Sequence, residues 1–204
     1  MSVVTRTAET PKKPRGPVRK RKPDFVSLDG LLTVEQWAAL PEVKPPYELI
    51  NGVLVRKMVT TNEHDWATGK ILSLCHAWSD SSGWRFFSQG AGTRIDSFNG
   101  FVPDVMGFPP DVPLQADATY NPPPFIVFEV LSRGTSRIDR TDKMRAYEHA
   151  GVHLYTIVDL RKRALEIRRL QNGAYSPPEV LRNDDVWQPA ELPGLRVELA
   201  RLWF

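Results

Sequence analysis

The spacing of apolar residues along the chain predicts two long helices, over about residues 62–80 and about residues 137–150. Both segments follow the helical period, and Gly151 is typical of the end of the second helix. The apolar positions of the first helix are Trp66, Ala67, Ile71, Leu74, Cys75 and Trp78. A short helix is also predicted after Thr33, because Thr33 and Gln36 have the spacing of a capping box. We expect the apolar side of each long helix to pack on a β-sheet.

Short runs of β-branched and aromatic residues predict strands before, between and after the two long helices. The runs are YELI, VLVRKM, WRFFSQ, GTRID, FVPDVMGF, FIVFEVL and HLYTIVDL. Asn-Gly pairs at 51–52 and 172–173 are typical of tight hairpin turns. This alternating order predicts an α/β fold with a three-layer core, in which a mixed central β-sheet is flanked by helices.

The positive charge of the chain is concentrated in its first 24 residues. They carry eight lysine and arginine residues against two acidic ones, although the whole chain has a net charge of only +3. Several prolines and the lack of an apolar period predict a disordered, basic, proline-rich N-terminal tail over residues 1–24. Lys20, Arg21 and Lys22 are candidates for contacts with nucleic-acid phosphates. A merely solubilising extension explains the same composition.

The remaining residues, 25–204, are predicted to form a single domain. The chain has 204 residues, 41% of them hydrophobic, which is enough for one sizeable core. Cys75 is the only cysteine, so no disulfide framework is expected and a reducing, cytoplasmic location is favoured. No apolar run approaches the length of a membrane span, and we expect no contact with a membrane.

An acidic residue, Glu129, lies in the middle of the apolar run FIVFEVL. A carboxylate inside a buried strand costs several kcal/mol unless it is paired, protonated or bound to a metal. Asp104, in FVPDVMGF, is a second acid in similar surroundings. If both strands are neighbours, the two acids could share a divalent cation, and oxygen ligands suit Mg²⁺ or Mn²⁺. The alternative is that Asp104 is a turn residue and Glu129 an edge residue in a salt bridge.

The helix after Glu129 carries Asp139, Lys143 and Tyr147 at intervals of four residues, so these side chains share one face. A lysine that reaches the two acids could orient a water molecule or neutralise phosphate charge. The alternative is an ordinary ion pair on the helix surface. His64, near the start of the first long helix, is a candidate for orienting a phosphate or Glu48, or else an ordinary histidine at a helix terminus.

Taken together, these motifs resemble the bacterial Uma-two putative restriction endonuclease family of the PD-(D/E)XK nuclease superfamily. The resemblance covers about residues 45–175 and rests on YELINGVLV, the histidine of NEHDWA, VPDV, VFEVLS, the Asp139, Lys143 and Tyr147 series, and AGVHLYTIVD. It implies a restriction-endonuclease-like fold and a metal-dependent DNA endonuclease that hydrolyses phosphodiester bonds.

The resemblance also implies site residues and a cofactor. The aspartate of the family corresponds to Asp104, its glutamate to Glu129, its lysine to Lys143 and its early glutamate to Glu48. Mg²⁺, with Mn²⁺ as a substitute, is expected on Asp104, Glu129 and the backbone carbonyl of Val130. Glu48 is expected either to bind the metal as well or to order a water beside it.

One position departs from the wider superfamily. In the plain E-x-K motif a lysine follows two residues after the glutamate, and Leu131 stands there in this chain. An inactive nucleic-acid-binding or interaction module on the same fold is therefore the alternative function. Arg133, Arg137 and Arg140 flank the predicted site and are candidates for DNA contacts. A homodimer is expected from the resemblance, because two DNA strands need two sites.

Overall fold

The computed structural model describes residues 25–26, 30–41, 45–88, 90–132 and 134–204. The predicted N-terminal tail, with Lys20, Arg21 and Lys22, lies outside the described residues, and so does Arg133. The division into a tail and one domain therefore stays a prediction.

One helix begins at its predicted capping box, and another ends at a glycine. Helix α1 (Val34–Ala38) begins with the predicted capping box, in which Thr33 N–H donates to Gln36 Oε1 at 2.8 Å and Gln36 N–H donates to Thr33 Oγ1 at 3.3 Å. Helix α2 (Asn62–Ser82) ends at Gly83, whose φ of 74° is the left-handed conformation that glycine adopts without strain. Among the described residues, no helix is long and apolar enough to cross a membrane.

The predicted helix over 137–150 is present but is not uniform. It consists of α3 (Ser136–Ile138), a π-helical turn (Asp139–Lys143) and α4 (Met144–His149), which follow one another without a break. A one-turn 3₁₀ helix (Leu199–Arg201) lies near the C-terminus. The π-helical turn was not predicted, and such turns are frequent at functional sites.

The strands form two large sheets and one small ribbon. In chain order they are β1 (Phe25–Val26), β2 (Tyr47–Ile50), β3 (Val53–Arg56), β4 (Arg85–Ser88), β5 (Gly92–Asp96), β6 (Asn99–Phe101), β7 (Val105–Phe108), β8 (Tyr120–Asn121), β9 (Ile126–Val130), β10 (Leu154–Asp159), β11 (Ala164–Gln171), β12 (Ala174–Tyr175), β13 (Glu179–Arg182), β14 (Val186–Trp187) and β15 (Val197–Glu198). The first sheet has the order β1-β3-β2-β6-β5-β8 and the second the order β12-β11-β10-β9-β7-β4, with β13 also paired to β11. Strands β14 and β15 form the ribbon.

The second sheet is mixed, as predicted. Strands β9 and β10 run parallel and are connected through the helix over 136–149, whereas β7 and β9 run antiparallel. Parallel neighbours need such a crossover connection. Asn51 and Gly52, between β2 and β3, both have positive φ, as do Asn172 and Gly173 between β11 and β12. The two hairpin turns predicted from the Asn-Gly pairs are therefore confirmed.

The second sheet is covered on both faces, which confirms the predicted three-layer core with its mixed sheet. On one face, Ile126, Phe128 and Val130 of β9 pack with Ala67 and Ile71 of α2. The opposite face packs against α4 and the first sheet, through a cluster that includes Val127, Tyr147, Ile50 and Phe101. Glu129 alternates with Phe128 and therefore points into this second, more polar interior.

One predicted core residue lies elsewhere. Trp66 was expected on the buried side of α2, but its side chain is 41% exposed and lies edge-on to Phe204 at 5.8 Å between ring centroids. Lys70 covers its ring at 4.5 Å from the centroid. The helical period places Trp66 on the apolar stripe, but a period alone could not show that this residue packs against Phe204 and Lys70 at the surface.

Candidate active site

The two predicted acids lie next to each other on neighbouring strands. Asp104 immediately precedes β7, and Glu129 is in β9. The last register pair of these antiparallel strands is Val105 with Phe128, so one further step brings Asp104 opposite Glu129. The Val130 N–H donates to Asp104 Oδ2 at 2.9 Å, which fixes the Asp104 carboxylate beside the end of β9. Both acids are buried.

Glu48 joins them from the first sheet. It lies in β2, and its Oε1 accepts a hydrogen bond from Val102 N–H at 2.9 Å. Val102 belongs to the short connection between β6 and β7, so this bond joins the two sheets at the point where the acids meet. Glu48 is buried as well.

Lys143 connects the acids through a single ammonium group. Its Nζ lies 3.0 Å from Oε1 of Glu48, 3.0 Å from Oε1 of Glu129 and 3.5 Å from Oδ1 of Asp139. The hydroxyl of Tyr147 donates to the same Glu129 Oε1 at 3.2 Å. The predicted face of Asp139, Lys143 and Tyr147 thus points toward the acids. The alternative of an ordinary surface ion pair is wrong, because the Lys143 side chain is only 3% exposed.

The π-helical turn contributes to this arrangement. It contains both Asp139 and Lys143. The hydroxyl of Tyr155, in β10, donates to the backbone carbonyl of Asp139 at 2.7 Å. A π turn changes the carbonyl positions from those of an α-helix, and a side chain of the neighbouring strand here satisfies one of these carbonyls.

A second lysine, which the sequence did not single out, contacts Asp104. Lys57 follows β3, and its Nζ donates to Asp104 Oδ1 at 3.0 Å and to the Val102 carbonyl at 2.6 Å. His64 lies with Nε2 at 3.2 Å from Asp104 Oδ2. The His64 side chain therefore contacts Asp104, and its backbone N–H donates to the helix-capping Thr61 Oγ1 at 3.3 Å. A lysine in a strand-like VLVRKM run carries no local signal of such a contact, because its partner is 47 residues away in sequence.

The pKa values of Asp104 and Glu129 are shifted in opposite directions. Burial opposes the ionisation of Asp104, but Lys57 and His64 outweigh it and hold the pKa of Asp104 well below its ordinary value. Burial raises the pKa of Glu129 to about 8, a rise that Lys143 reduces and that the charges of Asp139, Asp104 and Glu48 increase. Asp104 is thus ionised at neutral pH, whereas Glu129 binds a proton readily.

Lys143 stays charged despite its burial. Burial alone would lower its pKa, but the charges of Glu129, Glu48 and Asp139 outweigh that effect and raise the pKa well above its usual value. The same holds for Lys57, whose pKa is raised because Asp104 and Glu48 outweigh its burial. Both lysines are therefore cations and not proton acceptors at neutral pH.

The donor chemistry of this cluster fits a hard divalent cation, although the carboxylates now contact lysines. Four buried carboxylates, those of Asp104, Glu129, Glu48 and Asp139, lie around two ammonium groups, which is a formal excess of two negative charges. Burial is the main cause of the raised pKa of Glu129, and the charges of Asp139, Asp104 and Glu48 add to it. Within the described ranges, no three His, Cys, Asp or Glu side chains are grouped so that they could hold a metal ion. Metal binding would thus require some of the carboxylate oxygens to change partners.

The predicted DNA-contacting arginines are not equivalent. Arg137 is exposed. Arg140 forms ion pairs with Glu166, at 2.7 Å to Oε1, and with Asp159, at 3.3 Å. These carboxylates compete with any phosphate for its guanidinium. Both DNA contacts stay predictions, as does that of Arg133, which is outside the described residues.

Comparison with known proteins agrees with the resemblance seen in the sequence. The model of the Uma2 family, which is described as "Putative restriction endonuclease", matches residues 34–200. A similar solved structure is that of a putative nuclease belonging to DUF820 from Anabaena variabilis, with a TM-score of 0.73 and 19% identity. The match covers 84% of this chain and 97% of that chain. At this identity the likeness shows the fold alone. No curated protein matches the chain significantly.

Proposed function

This chain belongs to the Uma2 family of putative restriction endonucleases, and from this premise we propose that it is a metal-dependent endonuclease that hydrolyses DNA phosphodiester bonds. The observation that carries the proposal is the buried pair of Asp104 and Glu129 on neighbouring strands, with Lys143 at 3.0 Å from Glu129. A fold can host many functions, so the argument rests on this pair and its partners.

In the proposed enzyme, Asp104, Glu129 and the backbone carbonyl of Val130 would hold Mg²⁺, with Mn²⁺ as a substitute. Glu48 either joins these ligands or orders a water beside them. When bound, the metal polarises the scissile phosphate and lowers the pKa of a coordinated water. The Val130 peptide suits this role because its N–H already holds the Asp104 carboxylate at 2.9 Å.

Lys143 acts in this proposal as a fixed cation. Because its pKa is raised well above the usual value, it does not accept a proton from the attacking water at neutral pH. It instead orients Glu129 and Glu48 through its ammonium group and stabilises the negative charge that develops on the phosphate. Tyr147, on the same helix face, donates its hydroxyl to Glu129 Oε1 and thereby helps to hold this carboxylate in place. Lys143 thereby replaces the strand lysine whose position Leu131 occupies.

The proposal extends to partners and location. DNA is the substrate, and a homodimer would allow both strands to be cut, because a symmetric pair of sites matches the pseudo-symmetry of a duplex. Arg137, together with the basic residues Lys20, Arg21 and Lys22, would contribute salt-dependent contacts with phosphates. A cytoplasmic location is proposed because the single cysteine suits a reducing compartment.

Plasmid nicking by the purified protein tests this function. We expect cleavage with Mg²⁺ or Mn²⁺ and none with EDTA, and we expect Asp104→Asn and Glu129→Gln to remove it. Asp111→Asn, which alters an exposed loop residue, is the matched control and is expected to cleave like the wild type. Titration of Mn²⁺ followed by electron paramagnetic resonance gives a second measurement, in which Asp104→Asn should bind the metal more weakly than the control.

A binding module without turnover is the second candidate. It is favoured by one observation: Lys57 and His64 contact both oxygens of Asp104, one oxygen each. Folded protein that shifts DNA in EDTA, takes up no Mn²⁺ and nicks no plasmid would establish this candidate in place of the nuclease.

A further inference from the structure

A groove opens beside the acids on the side of Lys57. It has a volume of about 620 Å³. Its lining includes Trp37, Tyr47, Lys57, Met58, Val102 and Tyr120. The groove adjoins the candidate active site, because its lining residue Lys57 binds Asp104 and the N–H of its lining residue Val102 binds Glu48.

One wall of the groove is aromatic and firmly supported. The ring of Tyr120 lies 4.5 Å from that of Trp37, and Trp37 is fixed by a hydrogen bond from Nε1 to the Tyr47 carbonyl at 2.8 Å. Tyr120 also lies directly against the backbone of β5, where a Cβ at Gly92 would clash with its ring. Tyr120 is only half-buried, whereas Trp37 is buried. A supported, partly exposed ring of this kind is a stacking surface.

Positive charge lies on both sides of Tyr120. Lys57 is at the end of the groove that meets Asp104. Beyond Tyr120 a second cavity, of about 520 Å³, continues past the exposed Arg94, whose guanidinium carbon is 5.9 Å from the Tyr120 ring centroid. Among the described residues, no acidic side chain lines either cavity. Because Lys57 is paired with Asp104, Arg94 is the cation beside Tyr120 that a phosphate can reach, and an aromatic ring next to an exposed cation suits single-stranded nucleic acids, which present bases between phosphates.

We propose that this groove binds an unpaired nucleotide of the DNA substrate next to the cleaved bond. Its base stacks on Tyr120, one neighbouring phosphate faces Arg94, and the strand leaves the groove at the end where Lys57 is paired with Asp104, so that the cleaved bond adjoins the acids. This inference rests on the proposed nuclease function. The groove volume of about 620 Å³ lies within the range of pockets that hold one small ligand, such as a single nucleotide. A paired base would have to leave the helical stack to enter it, so substrates with single-stranded or unpaired segments are favoured.

Binding in EDTA tests the groove independently of turnover. Fluorescence anisotropy of the full chain is measured with a short oligothymidylate, with an abasic strand of the same length and with a duplex. We expect oligothymidylate to bind most tightly, and Tyr120→Ala to weaken its binding by roughly 5- to 150-fold, the effect of losing one stacked base. The abasic strand should bind Tyr120→Ala as it binds the wild type. Because a basic tail meets the phosphates of both single strands, its contribution cancels in their ratio.

Three control variants define the site more closely. Tyr120→Phe keeps the ring and should bind like the wild type. Phe98→Ala removes an aromatic side chain that is 44% exposed and does not line the groove, and it too should bind like the wild type. Arg94→Met should weaken the binding of oligothymidylate and of the abasic strand equally, because it removes a phosphate contact and no base contact.

The groove inference and the nuclease proposal fail in different ways. If Tyr120→Ala melts like the wild type and binds oligothymidylate as tightly, or if the wild type prefers the duplex, the groove does not bind a base, even where plasmid nicking succeeds. If stacking is found as expected but no metal supports nicking, the groove is confirmed as a nucleotide site and the nuclease proposal fails.

Discussion

Replacing Lys143 by methionine would remove the ammonium group that three buried carboxylates share, while keeping a side chain of similar length. The three contacts, at 3.0, 3.0 and 3.5 Å, all lie in a region where the lysine is 3% exposed. Removing one partner of a buried ion pair costs about 3–5 kcal/mol, because the remaining charge is left without compensation. We therefore expect the free energy of unfolding to fall by about 3–5 kcal/mol.

The size of this loss should depend on pH. The pKa of Glu129 is already raised to about 8 by burial, in spite of Lys143, and it should rise further without the lysine. A carboxyl group whose folded pKa is raised stabilises the fold below its ordinary pKa, and this contribution is lost as the pH rises through the folded pKa. The difference between Lys143→Met and the wild type should therefore be largest above pH 8, where wild-type Glu129 is ionised beside Lys143.

Urea unfolding in EDTA, at one pH above and one well below 8, measures both effects. Arg169→Met is the matched control, since Arg169 pairs with Glu179 at 2.6 Å and with Glu191 at 2.7 Å but is 27% exposed. That variant should lose no more than about 1 kcal/mol. The reasoning would be refuted by a Lys143→Met protein that is as stable as the control above pH 8, or by one that loses more stability at the lower pH.

Three further predictions concern packing. Cys75 is fully buried, and burial raises the pKa of its thiol to about 12. A thiol reagent that releases a chromophore should therefore modify Cys75 only after unfolding, as followed by absorbance, and rapid labelling of the native protein would contradict this. Gly100→Ala should lower the thermal midpoint by an amount corresponding to about 1–3 kcal/mol, because the added Cβ would clash with the Trp37 ring, and an unchanged midpoint would show that β6 can move. Gly69→Ala, in helix α2 with nothing within 4 Å of the added Cβ, should instead raise the stability by about 0.5–1 kcal/mol, and a loss would mean that the helix is strained there.

The features that could be predicted from the sequence are those with local causes. The capping box of Thr33 and Gln36 and the turn at Asn51 and Gly52 depend on residues within a few positions of each other, so the local amino-acid sequence contains the whole signal. Gly83 ends its helix for the same reason. The neighbouring positions of Asp104 and Glu129 could also be anticipated, because each acid lies in an apolar run and two such acids on adjacent strands suit a shared cation.

The features that were missed depend on contacts between distant segments. Lys57 reaches Asp104 only because β3 of the first sheet ends beside the β6–β7 connection, and no periodicity in VLVRKM reports this. The π-helical turn at Asp139–Lys143 interrupts a segment whose spacing of four residues fits an uninterrupted α-helix equally well. Tyr155 of β10 binds the Asp139 carbonyl in this turn, a contact between distant segments that the local sequence does not indicate.

The position of Glu129 has a physical explanation in the assembled structure. Its neighbours Phe128 and Val130 pack on α2, so β9 cannot shift to move the carboxylate toward solvent without exposing that core. The acid is instead stabilised in place by Lys143 and Tyr147, and the excess of carboxylates around the two lysines leaves the centre short of positive charge. Because packing against α2 fixes one face of β9, Glu129 on the opposite face would hold a cation in a fixed position relative to the substrate. A flexible loop would not do so. The buried charge therefore costs stability at the point where the proposed reaction needs a fixed ligand. Glu129→Gln keeps an acceptor for Lys143 and Tyr147, so urea unfolding should find it more stable than Glu129→Leu, although both should be inactive.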